Sequence, residues 1–344
     1  MTHSARRAAA ALAAAALPLT PACGSVAKAP AAPARPRQAG TVVGTLRLSP
    51  RQQSALLAAR PGELYAIVTT GSTSQFTVVR EAGGVVTRSR VAFDLSNYLM
   101  SVSAGRDGVY AGTAVIRRFR DVPDELLRID PRTLRVIARA SFPARVSTVV
   151  QGGSMWAAIG DGRIVSLDPS TLKILASQQV LSTAAVAAGG TLSAPAVGAG
   201  SLWVLAGTAP KLELVRIDPT TLAIRSRTRL AAQGVPAGVV HAVVARGRSV
   251  YLVGSKVAGI RANGAVARMS AAAPALAAAA VEGSTLVGLV EGSPALVRLD
   301  ARGDVVGRTR LRDAGGQLAV SGRDAWFVGN AGRGEGIVHV RLAR

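Results

Sequence analysis

The chain has 344 residues, 49% of them apolar, with 41 Lys and Arg against 19 Asp and Glu and a single Cys. One Cys excludes an intrachain disulfide, so packing must supply the stability. A formal net charge of +22, nearly all of it Arg because Lys28, Lys173, Lys211 and Lys256 are the only lysines, attracts polyanions in a salt-dependent way.

In chain order, the first element is a secretion signal over residues 1–22. Arg6 and Arg7 form a positive start, and Ala8–Leu19 is an uncharged stretch of Ala and Leu. It is too short for the roughly 20 apolar residues of a bilayer span. Leu19-Thr20-Pro21-Ala22-Cys23 resembles a bacterial lipobox, with Thr20 rather than Leu three residues before the Cys. The expectation is lipidation of Cys23 and anchoring at the outer face of the cell membrane. Ordinary cleavage after Ala22, giving a soluble secreted protein with a free thiol, is the alternative. Residues 23–40 are rich in Ala, Pro and basic side chains with no periodic apolar face. They read as a semi-extended tether of roughly 50 Å at about 3.1 Å per residue.

Residues 41–344 carry a repeat. Tyr65, Tyr110, Trp156, Trp203, Tyr251 and Trp326 hold one equivalent position, and Leu286 fills it in one more copy. A period of about 43 residues made of short strands predicts an all-β fold, a β-propeller with one four-stranded blade per repeat. Inner strands are expected to start near residues 55, 99, 147, 194, 241, 275 and 316, which makes seven blades. The clearest copy runs His241–Gly247, Ser249–Ser255, Val257–Asn263 and Ala265–Ala271. The last copy stops after three strands, ending with Gly336–Arg344. Val42–Leu48 reads like the outer strands Ile224–Leu230 and Val305–Leu311. It is therefore predicted to complete the last blade and remove an exposed edge. The Ala-rich stretch 275–281, next to Pro274, fits a crowded inner strand better than a helix.

Between third and outer strands stands a recurring turn: Asp130-Pro131-Arg132-Thr133-Leu134, Asp168-Pro169-Ser170-Thr171-Leu172 and Asp218-Pro219-Thr220-Thr221-Leu222, with a weaker copy at Asp300. Pro presets φ, and the Asp and Thr oxygens cap backbone N–H groups. These Asp residues therefore read as turn formers rather than metal ligands.

The Leu202-Trp203-Val204 strand, the Val215–Leu222 turn phrase and the seven-fold count resemble the bacterial seven-bladed propellers of the YVTN and NHL-like group, which includes the streptogramin lyases. The resemblance covers about residues 41 to 344. For the lyase branch it implies a Mg²⁺-assisted elimination by His and acidic residues above the channel. His241 and Glu282 are the catalytic candidates on that implication. Ser284 and Thr285 stand where a second His is expected. No phosphate-binding Gly loop, GxSxG or Cys/His cluster is present in the sequence, so no cofactor and no metal is expected.

Propellers present ligands mostly on the face made by loops from outer to next inner strand and from second to third strand. Two long loops fall there. Thr113–Asp124 carries Arg117, Arg118 and Arg120, the ligand-binding candidates, since Arg forks pair with carboxylate or phosphate. Leu181–Pro195 offers only Ala, Gly, Ser and Thr chemistry. Arg also recurs on outer strands at spacing two, as in Arg88 and Arg90, Arg225, Arg227 and Arg229, or Arg308 and Arg310. This is either a solvated rim or a docking surface for anionic lipid headgroups or acidic polymers. The expected function is an exported, monomeric binding or scaffold module whose partner is an envelope protein or anionic envelope polymer rather than nucleic acid. A metal-assisted lyase or hydrolase is the alternative.

Overall fold

The alternation along each strand buries one face against the next repeat, and the computed structural model shows how. It describes residues 38–48, 52–70, 75–92, 97–115, 123–208, 211–236, 238–270, 272–312, 314–330 and 335–343. Cys23, the signal, most of the tether, and Arg117, Arg118 and Arg120 lie outside the described residues. Residues 36–344 form a compact unit of their own.

Seven antiparallel sheets make seven blades in a ring, as the period predicted. The inner strands are Gln52–Arg60 in blade 1, Asn97–Ala104 in blade 2, Val146–Gln151 in blade 3, Ala196–Gly198 in blade 4, Val240–Arg246 in blade 5, Leu276–Glu282 in blade 6 and Leu318–Ser321 in blade 7. Each packs beside the next, and the seventh returns to the first.

The N-terminal strand closes the ring. Gly40–Arg47 pairs antiparallel with Glu335–Leu342, with Val42 opposite Val340, Leu46 opposite Ile337, and a bulge between Val42 and Gly44. The buried Thr309 hydroxyl locks the closing strand to blade 6. It accepts from the Gly40 N–H at 2.9 Å and donates to the Gly40 carbonyl at 2.8 Å. The Ala343 N–H donates to the Ala39 carbonyl at 3.0 Å.

The recurrent aromatic residues sit between blades. Tyr65, Tyr110, Trp156, Trp203, Tyr251 and Trp326 are all buried, as is Leu286. The polar tips of three reach the following blade. The Tyr110 hydroxyl donates to the Pro169 carbonyl at 3.0 Å, the Trp156 indole N–H to the Pro219 carbonyl at 2.9 Å, and the Tyr251 hydroxyl to the Ser284 carbonyl at 3.1 Å. In these three the ring fills the gap and the polar tip is satisfied on the next blade.

The Asp-Pro turn supplies the other half of that joint. Asp130, Asp168 and Asp218 each accept from the two backbone N–H groups that follow the Pro, as the sequence predicted. The Leu that ends each turn is the unexpected element. Leu134, Leu172 and Leu222 adopt left-handed φ of 57°, 61° and 59°, at a cost of about 1 kcal/mol each. All three are buried against the preceding blade: Leu134 with Tyr65, Leu172 with Tyr110, Leu222 with Trp156. Burying a Leu contributes about 1.5–3 kcal/mol, which outweighs the backbone strain.

Blade 4 departs from the sequence expectation. The stretch Leu181–Pro195, expected as a plain loop, contains a one-turn helix at Thr183–Ala187 capped by Ser182, and the short strand Thr191–Leu192. Pro195 lacks an N–H for the ladder. Ser193 bridges the interruption: its N–H donates to the Leu205 carbonyl at 2.9 Å, and its hydroxyl accepts from the Leu205 N–H at 3.0 Å.

Candidate functional site

The last residues of all seven inner strands line one central cavity of about 1170 Å³. Its wall is mainly Ala, Val, Ser and Thr, including Ala58, Val102, Thr148, Val197, Ala245, Ala280 and Val320. Small side chains are needed where seven strands converge on an axis, which is why the Ala-rich stretch near residue 280 is a strand. The cavity extends to the turns between inner and second strands, where Arg60, Arg106, Asp107 and Arg246 stand. That is the opposite end from the loops the sequence reading favoured.

Several charges at this mouth are paired. Glu63 accepts from Arg60, from Tyr65 and from Arg80, the last at 2.6 Å. Burial works to raise the Glu63 carboxyl, but the hydrogen bonds from Arg60, Arg80 and Tyr65 outweigh it and hold it at about 2. Burial and the hydrogen bond to Glu63 push the Tyr65 hydroxyl up to about 12. Arg60 also donates to the Arg106 carbonyl at 2.9 Å, tying blade 1 to blade 2. Across the mouth, Arg246 pairs with Glu282 at 2.6 Å, tying blade 5 to blade 6. Deeper in, the Ser103 and Thr148 hydroxyls share a hydrogen bond of 2.8 Å between blades 2 and 3. No sequence motif pointed to Glu63: Arg60 and Tyr65 are close in the chain, but Arg80 reaches it only across the paired strands.

The two catalytic candidates are not brought together. Glu282 ends its inner strand at the mouth and is held by Arg246. His241 is the second residue of the strand that Arg246 ends, five residues away, about 16 Å at roughly 3.3 Å per residue. It is exposed at the other end, beside a recess of about 500 Å³ lined by Thr191, Ser193, Leu212 and Gly238. Among the described residues, no group of three His, Cys, Asp or Glu side chains is placed to hold a metal ion. The donor set implied for a lyase Mg²⁺ therefore does not fit this arrangement. The other histidine among the described residues, His339, stacks on Trp326 at 4.8 Å between centroids and bonds Asp324 at 2.8 Å. This is a packing role inside blade 7.

The turn Asp residues are also occupied. The Asp218 carboxyl is held well below the usual range by the Thr221 N–H and by Arg225. Asp130 is lowered by the Thr133 N–H, and Asp168 by the Ser170 hydroxyl.

No known family profile matches the sequence, and no curated protein matches it. Solved structures do match. A chain of the mitotic checkpoint complex aligns with a TM-score of 0.64 at 14% identity, over 94% of this chain and 100% of that one. The WD40 domain of Toxoplasma gondii coronin aligns at 0.61 and 13%, over 89% and 88%. BamB from Moraxella catarrhalis aligns at 0.53 and 13%, over 88% and 99%. The fold is a seven-bladed β-propeller. At such identities the likeness carries fold alone.

Proposed function

We propose that this chain is a non-catalytic binding module, tethered through Cys23 to the outer face of a cell membrane, that presents its propeller to a protein or anionic partner in the envelope. The observation that carries this reading is the placement of the candidate chemistry. His241 and Glu282 stand at opposite ends of the inner strands, and Glu282 is neutralised by Arg246. What remains is a rigid ring with a small-residue channel and charged surfaces, which suits recognition. One fold neighbour is a chain of the mitotic checkpoint complex, which supports a binding role by analogy of architecture.

Two measurements test the parts separately. Replacing Cys23 with Ser is expected to move the protein from the membrane fraction to the medium; equal retention of both forms overturns the tether. Replacing Arg117, Arg118 and Arg120 with Ala is expected to abolish photo-crosslinking to envelope partners in intact cells. Unchanged crosslinking removes that loop from the binding surface.

A further inference from the structure

The outer-strand arginines are not equivalent, and the strand registers show why. In blade 4, Glu213 on the third strand faces Arg229. It also pairs with Arg227 at 3.1 Å, while Asp218 holds Arg225. In blade 2, Glu125 pairs with Arg139 at 3.2 Å. The position of Glu213 is taken by Ala295 opposite Arg310 in blade 6, by Gly336 opposite Arg47 in blade 7, and by Thr77 opposite Arg90 in blade 1. Two residues further along, on the same face, Arg308 faces Val297 and Arg88 faces Val79. Arg47, Arg88, Arg90, Arg308 and Arg310 are all exposed. None has an ion pair among the described residues.

Blades 6, 7 and 1 are consecutive around the ring. Their outer strands also carry five exposed valines, Val306, Val42, Val43, Val85 and Val86, between 39% and 68% exposed. The middle strand of the three, Gly40–Arg47, is the one that residues 1–39 enter. Uncompensated arginines, exposed valines and the root of the tether therefore share one arc of the rim.

We infer that this arc is a docking surface for an anionic lipid bilayer. Arginines reach phosphate headgroups, and valines on the same strands enter the interfacial layer. The tether leaves from the middle of the arc and holds that side toward the membrane. The tether itself belongs to the functional proposal above. The arc does not need it, and the two are separable by experiment.

The test uses residues 36–344, which are the whole compact unit and lack Cys23. Cosedimentation is measured with phosphatidylcholine vesicles, with and without phosphatidylglycerol. Binding is expected only with phosphatidylglycerol, and it is expected to fall as ionic strength rises. The triple variant Arg47→Ser, Arg88→Ser, Arg310→Ser is expected to lower partitioning on the order of 100-fold, at about fivefold per arginine. The singles Arg88→Ser and Arg310→Ser, whose melting temperatures confirm folding, are each expected to give about fivefold. A control with the same loss of charge on the turn side, Arg106→Ser, Arg132→Ser, Arg248→Ser, is expected to keep binding. Val43→Ser with Val85→Ser is expected to weaken it. Equal losses in arc and control variants overturn the inference in favour of net charge. Retention on soluble polyphosphate without vesicle binding overturns it in favour of a polymer. Failure here leaves the Cys23→Ser fractionation result standing, so the arc and the tether fail separately.

Discussion

Removing the closing strand is the most severe perturbation short of breaking a blade. A chain beginning at residue 49 loses seven register pairs with Glu335–Leu342. At the low end of the hydrogen-bond range, about 0.5 kcal/mol each because water re-solvates the freed edge, the ladder is worth about 3–4 kcal/mol. Buried Ala39 and Leu48 and half-buried Leu46 add about 3–5 kcal/mol. The Thr309 hydroxyl loses both partners on Gly40, for about 1–2 kcal/mol more. The total is comparable with the whole stability of a typical domain, roughly 5–15 kcal/mol. A chain beginning at residue 38 keeps all of these contacts. Thermal melts with size-exclusion chromatography are expected to show a cooperative monomer for the 38–344 chain. The 49–344 chain is expected to aggregate or lose its transition. Equal melting temperatures of two monomeric forms would refute the closure argument.

Three further outcomes follow from the packing. Gly112→Ala would place a Cβ 2.1 Å from the Val146 carbonyl oxygen, whereas at Gly44 nothing lies within 4 Å. Denaturant melts are expected to show about 1–3 kcal/mol lost at Gly112 and within about 0.5 kcal/mol of no change at Gly44. Leu172→Ala removes a buried side chain from the joint between blades 2 and 3 and is expected to cost about 2–5 kcal/mol; a loss below 1 kcal/mol would show that the left-handed Leu is not the plug. The Glu63 carboxyl lies at about 2 in the folded state against 4.5 when unperturbed. A depressed folded value means stability that is complete above about 4.5 and lost as pH falls toward 2. With screening at the mouth this amounts to about 1–2 kcal/mol. Glu63→Gln is expected to be less stable at neutral pH, with the gap closing by pH about 2; a gap that is constant with pH refutes the ionic account.

The repeat, the strand pattern and the ring closure were legible in the sequence because each is local or periodic. Alternation over five to eight residues marks a strand, and the copy of an outer strand at Val42–Leu48 had no blade of its own. The turn Asp residues were legible for the same reason, since their hydrogen bonds span two or three positions. Leu134, Leu172 and Leu222 repeat in sequence too, and that recurrence was the available signal. Only the fold shows that each enters the left-handed region to plug the joint with the blade before it. The destinations of the Tyr110 and Trp156 donors, 59 and 63 residues away, belong to the tertiary structure. So does the pairing of Glu63 with Arg80, and the separation of His241 from Glu282. Spacing of about one blade in sequence does not tell which end of an inner strand a residue occupies. The arginines show the same division. The sequence set their spacing and face, because side chains alternate along a strand. Whether a charge is neutralised depends on which residue the neighbouring strand places opposite it: Glu213 in blade 4, Ala295 in blade 6. Register between strands decides that, and register is settled by packing across the whole sheet.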